Sequence, residues 1–177
     1  MGLMGFLKTS ALATAATASM VAGLVAEAQT PSARSLVASG GSGTLDDVAS
    51  VRGVLSSYET ALNASDTGAV MPLYAEDGVF MAPYSPSAVG TAAVRKAYEA
   101  TFKAITLNVK FHVVEVVQTS PDWAFARTNS AGTVTIHATG AKSAEANQEL
   151  FIFRKDADGK WKIARYGFST TNPPSRP

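Results

Sequence analysis

From residue 51 the apolar positions Val51, Leu55, Tyr58 and Leu62 recur at three- and four-residue steps, so a helix would carry them on one face. That helix is expected to begin near Thr44, with Asp47 as a weak capping-box partner, and to end near Asn63. Its apolar face must turn inward, and it carries one polar tip, the Tyr58 hydroxyl. Asp66 stands where its side chain can cap a second helix, expected over about residues 68 to 74. Pro72 is tolerated only near a helix start, so this second helix must be short or distorted. Asp77-Gly78 reads as a turn that releases the chain into a strand, Val79-Phe80-Met81.

Pro83, Pro86 and Gly90 punctuate a loop. Thr91 is the expected N-cap of a third helix, with Val94, Ala97, Tyr98, Thr101 and Phe102 as its inward stripe. Four strands should follow. Residues 107 to 118 alternate Leu107, Val109, Phe111 and Val113 on one face. Residues 123 to 137 are rich in Thr, Val and aromatics, which suit strands. Residues 147 to 155 place Glu149, Phe151 and Phe153 together, and residues 161 to 170 close the sheet after the turn Asp156-Ala157-Asp158-Gly159. Helices first and strands after give an α+β class with antiparallel pairing.

Outside this block the pattern changes. Residues 1–28 have the form of a cleaved export signal: Lys8, then a small apolar run rich in Ala and Thr, then Ala26-Glu27-Ala28. The run is short and polar for a membrane span, for which about 20 strongly apolar residues are expected. The expected location is therefore periplasmic or secreted, in a bacterial setting, with no stable membrane insertion after cleavage. Residues 29–43 are small, polar and Gly-rich, as in a flexible linker. The folded domain is expected over 44–172, with a loose tail at 173–177.

Charge and composition remove several classes of function. A net charge of +1, with Lys and Arg dispersed and no base-stacking platform, argues against nucleic-acid binding. The chain has no cysteine, which excludes disulfides, thiolate chemistry and Cys-ligated zinc. The two histidines, His112 and His137, fall on different expected strands without a carboxylate at ligand spacing, so no metal site is expected. Gly40-Gly41-Ser42-Gly43 follows no strand and is linker rather than a phosphate cradle. No cofactor is expected.

The run Tyr58-x-x-Ala-Leu-Asn-Ala-x-Asp66, then Leu73-Tyr-Ala-x-Asp77, then a strand ending in Pro83, resembles the opening of the ketosteroid isomerase and SnoaL-like families of the nuclear transport factor 2-like superfamily. The close, from Asn147-Gln-Glu-Leu-Phe-Ile-Phe-Arg-Lys155 through Gly159-Lys-Trp-Lys-Ile-Ala-Arg-Tyr-Gly-Phe168, resembles its SgcJ/EcaC-like members. The resemblance implies a cone: a curved antiparallel sheet over three N-terminal helices, with an interior cavity. It also implies a homodimer paired sheet to sheet.

In the resembled isomerases a helix-one Tyr and a protonated late-strand acid donate to a developing oxyanion, and a first-strand carboxylate moves the proton. The ketosteroid case is a standard worked instance of that logic. Here those positions fall on Tyr58, Glu149 and Ala82, and alanine at the base position leaves that shuttle without its carboxylate. Glu149 beside Phe151 and Phe153 can be a neutral donor toward a small apolar carbonyl compound, or the buried partner of Arg127 or Arg165. Arg127 and Asn129 share a face with Trp123 and Phe125 and are candidate ligand contacts, with Phe151 in the wall and Tyr84 at the mouth. Arg127 can equally be a partner for Glu115. The Tyr58 hydroxyl can equally be a hydrogen-bonded core group. Two functions stay open: an isomerase- or cyclase-type enzyme, and a non-catalytic association module like the calcium/calmodulin kinase association domains that share the fold.

Overall fold

The computed structural model describes residues 45–172. The expected signal at 1–28, linker at 29–43 and tail at 173–177 lie outside the described residues, as does Thr44 with its capping role.

Helix α1, Leu45–Asn63, buries Val51, Leu55, Tyr58, Ala61 and Leu62, the face that its periodicity marks out. Asp46 and Asp47 in its first turn complement the positive end of the helix dipole. The second helical segment is broken as Pro72 requires: α2 is Thr67–Val70, and a 3-10 turn, Met71–Leu73, carries the proline near its start. Asp66 caps α2, accepting from the Ala69 backbone N–H at 3.0 Å.

Strand β1 is Tyr74–Met81, five residues longer at its start than expected. Asp77-Gly78 does not turn the chain; it sits in a register shift between Tyr74 and Val79, so the pair makes a bulge instead of a turn. The loop after Pro83 contains a short strand, β2, Ala88–Val89, that returns antiparallel onto β1. Helix α3 is Gly90–Ala104 and buries Val94, Tyr98 and Phe102. Its N-cap is Val89, which makes no side-chain cap; the Thr91 hydroxyl donates instead to the Glu76 carbonyl at 3.2 Å, tying α3 to β1.

Strands β3 (Ile105–Ser120), β4 (Trp123–Ile136), β5 (Lys142–Lys155) and β6 (Trp161–Thr170) complete one sheet in the order β2-β1-β6-β5-β4-β3. β5 also begins five residues earlier than expected. Neighbouring strands pair antiparallel, with one departure from the expected all-antiparallel sheet: β1 lies parallel to β6, with Tyr74 opposite Ile163 and Met81 opposite Gly167. α3 also falls after β1 and β2, so the helices do not all precede the sheet.

The sheet is open at β3, and α1 covers that edge. Asn63 acts as a strand substitute there: its amide accepts from Val109 N–H at 2.9 Å and donates to Val109 C=O at 2.8 Å. Glu59 accepts from Phe111 N–H at 2.7 Å and pairs with Lys110. At Val109 and Phe111 the edge is thereby occupied, which makes that stretch a poor template for pairing with another chain. At the other end of α1, Asp47 accepts from the Trp161 indole at 2.9 Å and pairs with Lys155 at 2.6 Å. These contacts, that with Lys155 foremost, hold the Asp47 carboxyl down at about 2. Trp161 is buried and anchors the start of β6 to α1. Among the described residues no helix is long and apolar enough to cross a membrane.

Candidate functional site

Between the helices and the inner face of the sheet lies a cavity of about 110 Å³. Its wall is mostly apolar and aromatic, with Leu62, Phe80, Leu107, Val109, Phe111 and Phe168 among its residues. Polar groups reach it from five elements: Tyr58 on α1, Tyr98 on α3, Ser130 on β4, Asn147 and Glu149 on β5, and Tyr166 on β6. Partly exposed Ala82, Ile105 and Glu145 mark the mouth.

The inner face of β4 is built from small residues. Ala124, Ala126, Thr128 and Ser130 point inward, and the larger Trp123, Phe125, Arg127 and Asn129 point the other way. The small side chains leave room for the aromatic stack of β5 and β6, in which Phe151 and Tyr166 lie 4.2 Å apart at 11°. Glu149 is 5 % exposed. It accepts from Thr128 Oγ1 at 2.5 Å with one carboxyl oxygen and from Ser130 Oγ with the other. Among the described residues it has no cationic partner. Burial pushes its carboxyl up from the ordinary 4.5, while the Ser130 and Thr128 hydroxyls pull the other way.

Tyr58 belongs to a cluster of four hydroxyls, with Tyr98, Tyr74 and Tyr166. Its oxygen lies 2.7 Å from Tyr98 Oη, which lies 2.8 Å from Tyr74 Oη. If Tyr74 donates to Tyr98, and Tyr98 and Tyr166 both donate to Tyr58, the Tyr58 proton is free to point into the cavity. Burial pushes all four well above the usual tyrosine range, so each stays a neutral donor.

Four candidates stand elsewhere than expected. Arg127 and Asn129 lie on the outer face of the sheet, because the aromatic side of β4 is the outward one. They border a separate open groove of about 410 Å³ with Gln148, Leu150 and Arg165. There Arg127 pairs with Glu115, one of the two partners weighed for it, and not with Glu149. Tyr84 is fully exposed, with φ 60°, and borders neither hollow. Phe151 is completely buried behind Tyr58 and Tyr166 and does not line the cavity. The structure does bring Tyr58 and Glu149 to one cavity, with Ala82 at its rim. Sequence reasoning missed Thr128, Ser130 and Asn147. The small-residue alternation along β4, opposite a strand rich in Phe, is the signal that marks the inward side.

His112 is exposed, and His137 sits at the rim with its ring nitrogens bonded to Thr106 and the Lys103 carbonyl. No group of three metal-ligating side chains occurs among the described residues.

The SnoaL-like domain pattern matches residues 54–164. The chain belongs to the SnoaL-like family. Its described cone fits that family, whose solved relatives share the architecture. A ketosteroid isomerase-like protein from Erwinia carotovora atroseptica SCRI1043 is 40% identical, covers 73% of this chain and 100% of its own, and superposes with a TM-score of 0.71. A candidate scytalone dehydratase from Novosphingobium aromaticivorans DSM 12444 is 18% identical over 72% of this chain and 86% of its own, with a TM-score of 0.62. A nuclear transport factor 2-like protein of unknown function from Pseudomonas putida KT2440 is 15% identical over 72% and 89%, with a TM-score of 0.59. At such low identity the last two carry the fold alone. No curated protein matches the chain. The SnoaL-like assignment does not extend to the SgcJ/EcaC subgroup.

The site predicts how stability follows pH. Because the folded-state pKa of Glu149 is raised, the native state holds its proton more tightly than the unfolded chain does. Stability is therefore lost as pH rises from about 4.5 through the folded value. Glu149→Gln is isosteric and cannot ionise. It is expected to match the wild type in urea midpoint near pH 4 and exceed it at pH 8; equal midpoints at both pH values would contradict the burial.

Proposed function

We propose that this SnoaL-like protein binds a small apolar carbonyl compound in the cone cavity and moves a proton on it, as an isomerase-type enzyme does. The observation that supports this is Glu149: a buried carboxyl without a cation partner, at the wall of an apolar cavity that also receives a tyrosine hydroxyl. A carboxyl in a cleft whose pKa is raised by burial is a candidate acid–base group. In the ionised form Glu149 removes a proton from a carbon next to the carbonyl or conjugated with it. The C–H electron pair passes to the carbonyl oxygen, where Tyr58 donates to the enolate. The protonated carboxyl then returns the proton. Glu149 thus takes the shuttle role for which Ala82 has no carboxylate, and the Tyr74–Tyr98–Tyr58 chain keeps the donor oriented.

Size limits the ligand. A cavity of about 150 Å³ accommodates benzene, so about 110 Å³ excludes a fused system and takes a single ring only with part of it standing in the open mouth. The likeness to a ketosteroid isomerase-like protein supports the chemistry, while the cavity argues for a smaller substrate.

The test is exchange of cyclohex-2-enone protons for deuterium in D₂O, followed by proton NMR. Wild type is expected to accelerate exchange, with a rate that rises as Glu149 ionises. Glu149→Gln should slow it about 100- to 10,000-fold, the range of a single general acid–base group. Absence of wild-type exchange would overturn the catalytic reading. It would leave the second reading, a non-catalytic association module, which Ala82 and the exposed Met81 and Leu150 of the outer sheet face favour. In that reading the outer face is the homodimer contact.

A further inference from the structure

The cavity wall contains a buried acceptor that accepts nothing. Asn147 is 9 % exposed and lines the cavity, and its Oδ1 has no hydrogen-bond partner. The amide orientation is fixed by its other end: Nδ2 donates to Glu145 Oε1 at 2.8 Å. With the amide nitrogen donating to Glu145, the amide oxygen faces away from it. The other such atom among the described residues, Gln118 Oε1, belongs to the side chain that reaches Asp47 and the Pro121 carbonyl, and does not line the cavity.

Buried polar groups are almost always paired, and one without a partner in a ligand cavity points to a donor on the ligand. Its position says where on the ligand. Asn147 and Glu149 are two residues apart on the same face of β5, which sets them roughly 7 Å apart along the strand. A six-membered ring with substituents at opposite ends spans that separation. The surface around them is aromatic and apolar, from Tyr58, Leu62, Phe111 and Tyr166.

We propose that the ligand is a single-ring enone or ketone that carries a hydroxyl opposite its carbonyl, the hydroxyl donating to Asn147 Oδ1 while the carbonyl oxygen accepts from Tyr58 and the carbon beside it faces Glu149. This rests on the carbonyl-binding reading above and adds a specificity-determining residue to it. A site built to bond a substrate hydroxyl rejects the analogue that lacks it, because its own buried polar atom is then left unpaired. A water molecule is the competing donor, and the test separates the two.

Binding of 4-hydroxycyclohex-2-enone and of cyclohex-2-enone to the wild type is measured by calorimetry, then repeated with Asn147→Leu. The hydroxylated probe is expected to bind about tenfold more tightly to the wild type, the worth of one neutral hydrogen bond. In Asn147→Leu that advantage should vanish, while the parent enone binds at least as well as before. Equal wild-type affinities would mean that water satisfies Asn147, which overturns the hydroxyl inference and leaves the cavity reading standing. Binding of neither probe would overturn both. The wild-type comparison decides the matter even where Asn147→Leu fails to fold.

Discussion

Phe151→Ala is expected to lower the stability of the domain by about 3–5 kcal/mol, the usual cost of emptying a fully buried aromatic site. Phe151 has no exposed surface and touches rings on several sides. It stacks on Tyr166 at 4.2 Å and on Phe153 at 5.9 Å, meets Tyr58 edge-on at 5.5 Å, and lies 6.3 Å from Phe111. Such pairs add to the loss from burial alone. The inner face of β4 opposite it is made of alanines and small hydroxyl residues, which cannot swing in to fill the space. A loss of this size is roughly a fifth or more of the stability of an ordinary domain. Urea midpoints measure it, and a change below about 1 kcal/mol would contradict the packing described. Where the variant stays folded, Tyr58 and Tyr166 lose their backing, so enone exchange should fall without any change at Glu149.

Gly132→Ala should be nearly as damaging for the opposite reason. A Cβ at Gly132 would stand 2.0 Å from the Asn108 carbonyl oxygen and 2.7 Å from Val109 Cα, both backbone atoms of β3. Backbone cannot rotate aside as a side chain can, so β3 must shift as a whole. Overpacking of this kind costs about 1–3 kcal/mol or more. The shift would also pull Val109 and Phe111 from Asn63 and Glu59, which hold their N–H groups at 2.9 Å and 2.7 Å. Amide hydrogen exchange reports this directly: those two amides should lose protection before the centre of β5 does. Unchanged protection at both would show that β3 has slack the contacts do not reveal.

The two helical stripes and the last strand were legible because their periods are regular and their ends are marked by turn residues. Val51, Leu55, Tyr58 and Leu62 needed only the spacing, and Trp161–Thr170 needed only Gly159, whose φ of 77° makes the turn. β1 was cut short because Asp77-Gly78 has turn chemistry, and local propensity does not reveal that a neighbouring strand will absorb the pair as a bulge. The faces of β4 were assigned the wrong way round. Large aromatics usually point to a core, but here the core side of β4 holds the small residues because Phe151, Phe153 and Tyr166 already fill the interior. That reversal moved Arg127 and Asn129 off the site and kept Thr128 and Ser130 hidden. Asn147 gave no signal at all, since an unpaired acceptor exists only once every neighbour is in place.

The parallel seam between β1 and β6 has a consequence for how the chain is made. Tyr74 waits for Ile163 and Met81 for Gly167, partners more than eighty positions further on, so ribosomal synthesis delivers the first strand long before its mate. Contacts of such span are slow to form because the loop must close before anything rewards it. Through that interval the apolar stripes of α1 and α3 have no finished sheet to cover them, which is the state most open to chaperones and to aggregation. The last strand to emerge therefore acts as the latch of the whole domain, and a chain truncated before Trp161 should lose the fold rather than a single strand.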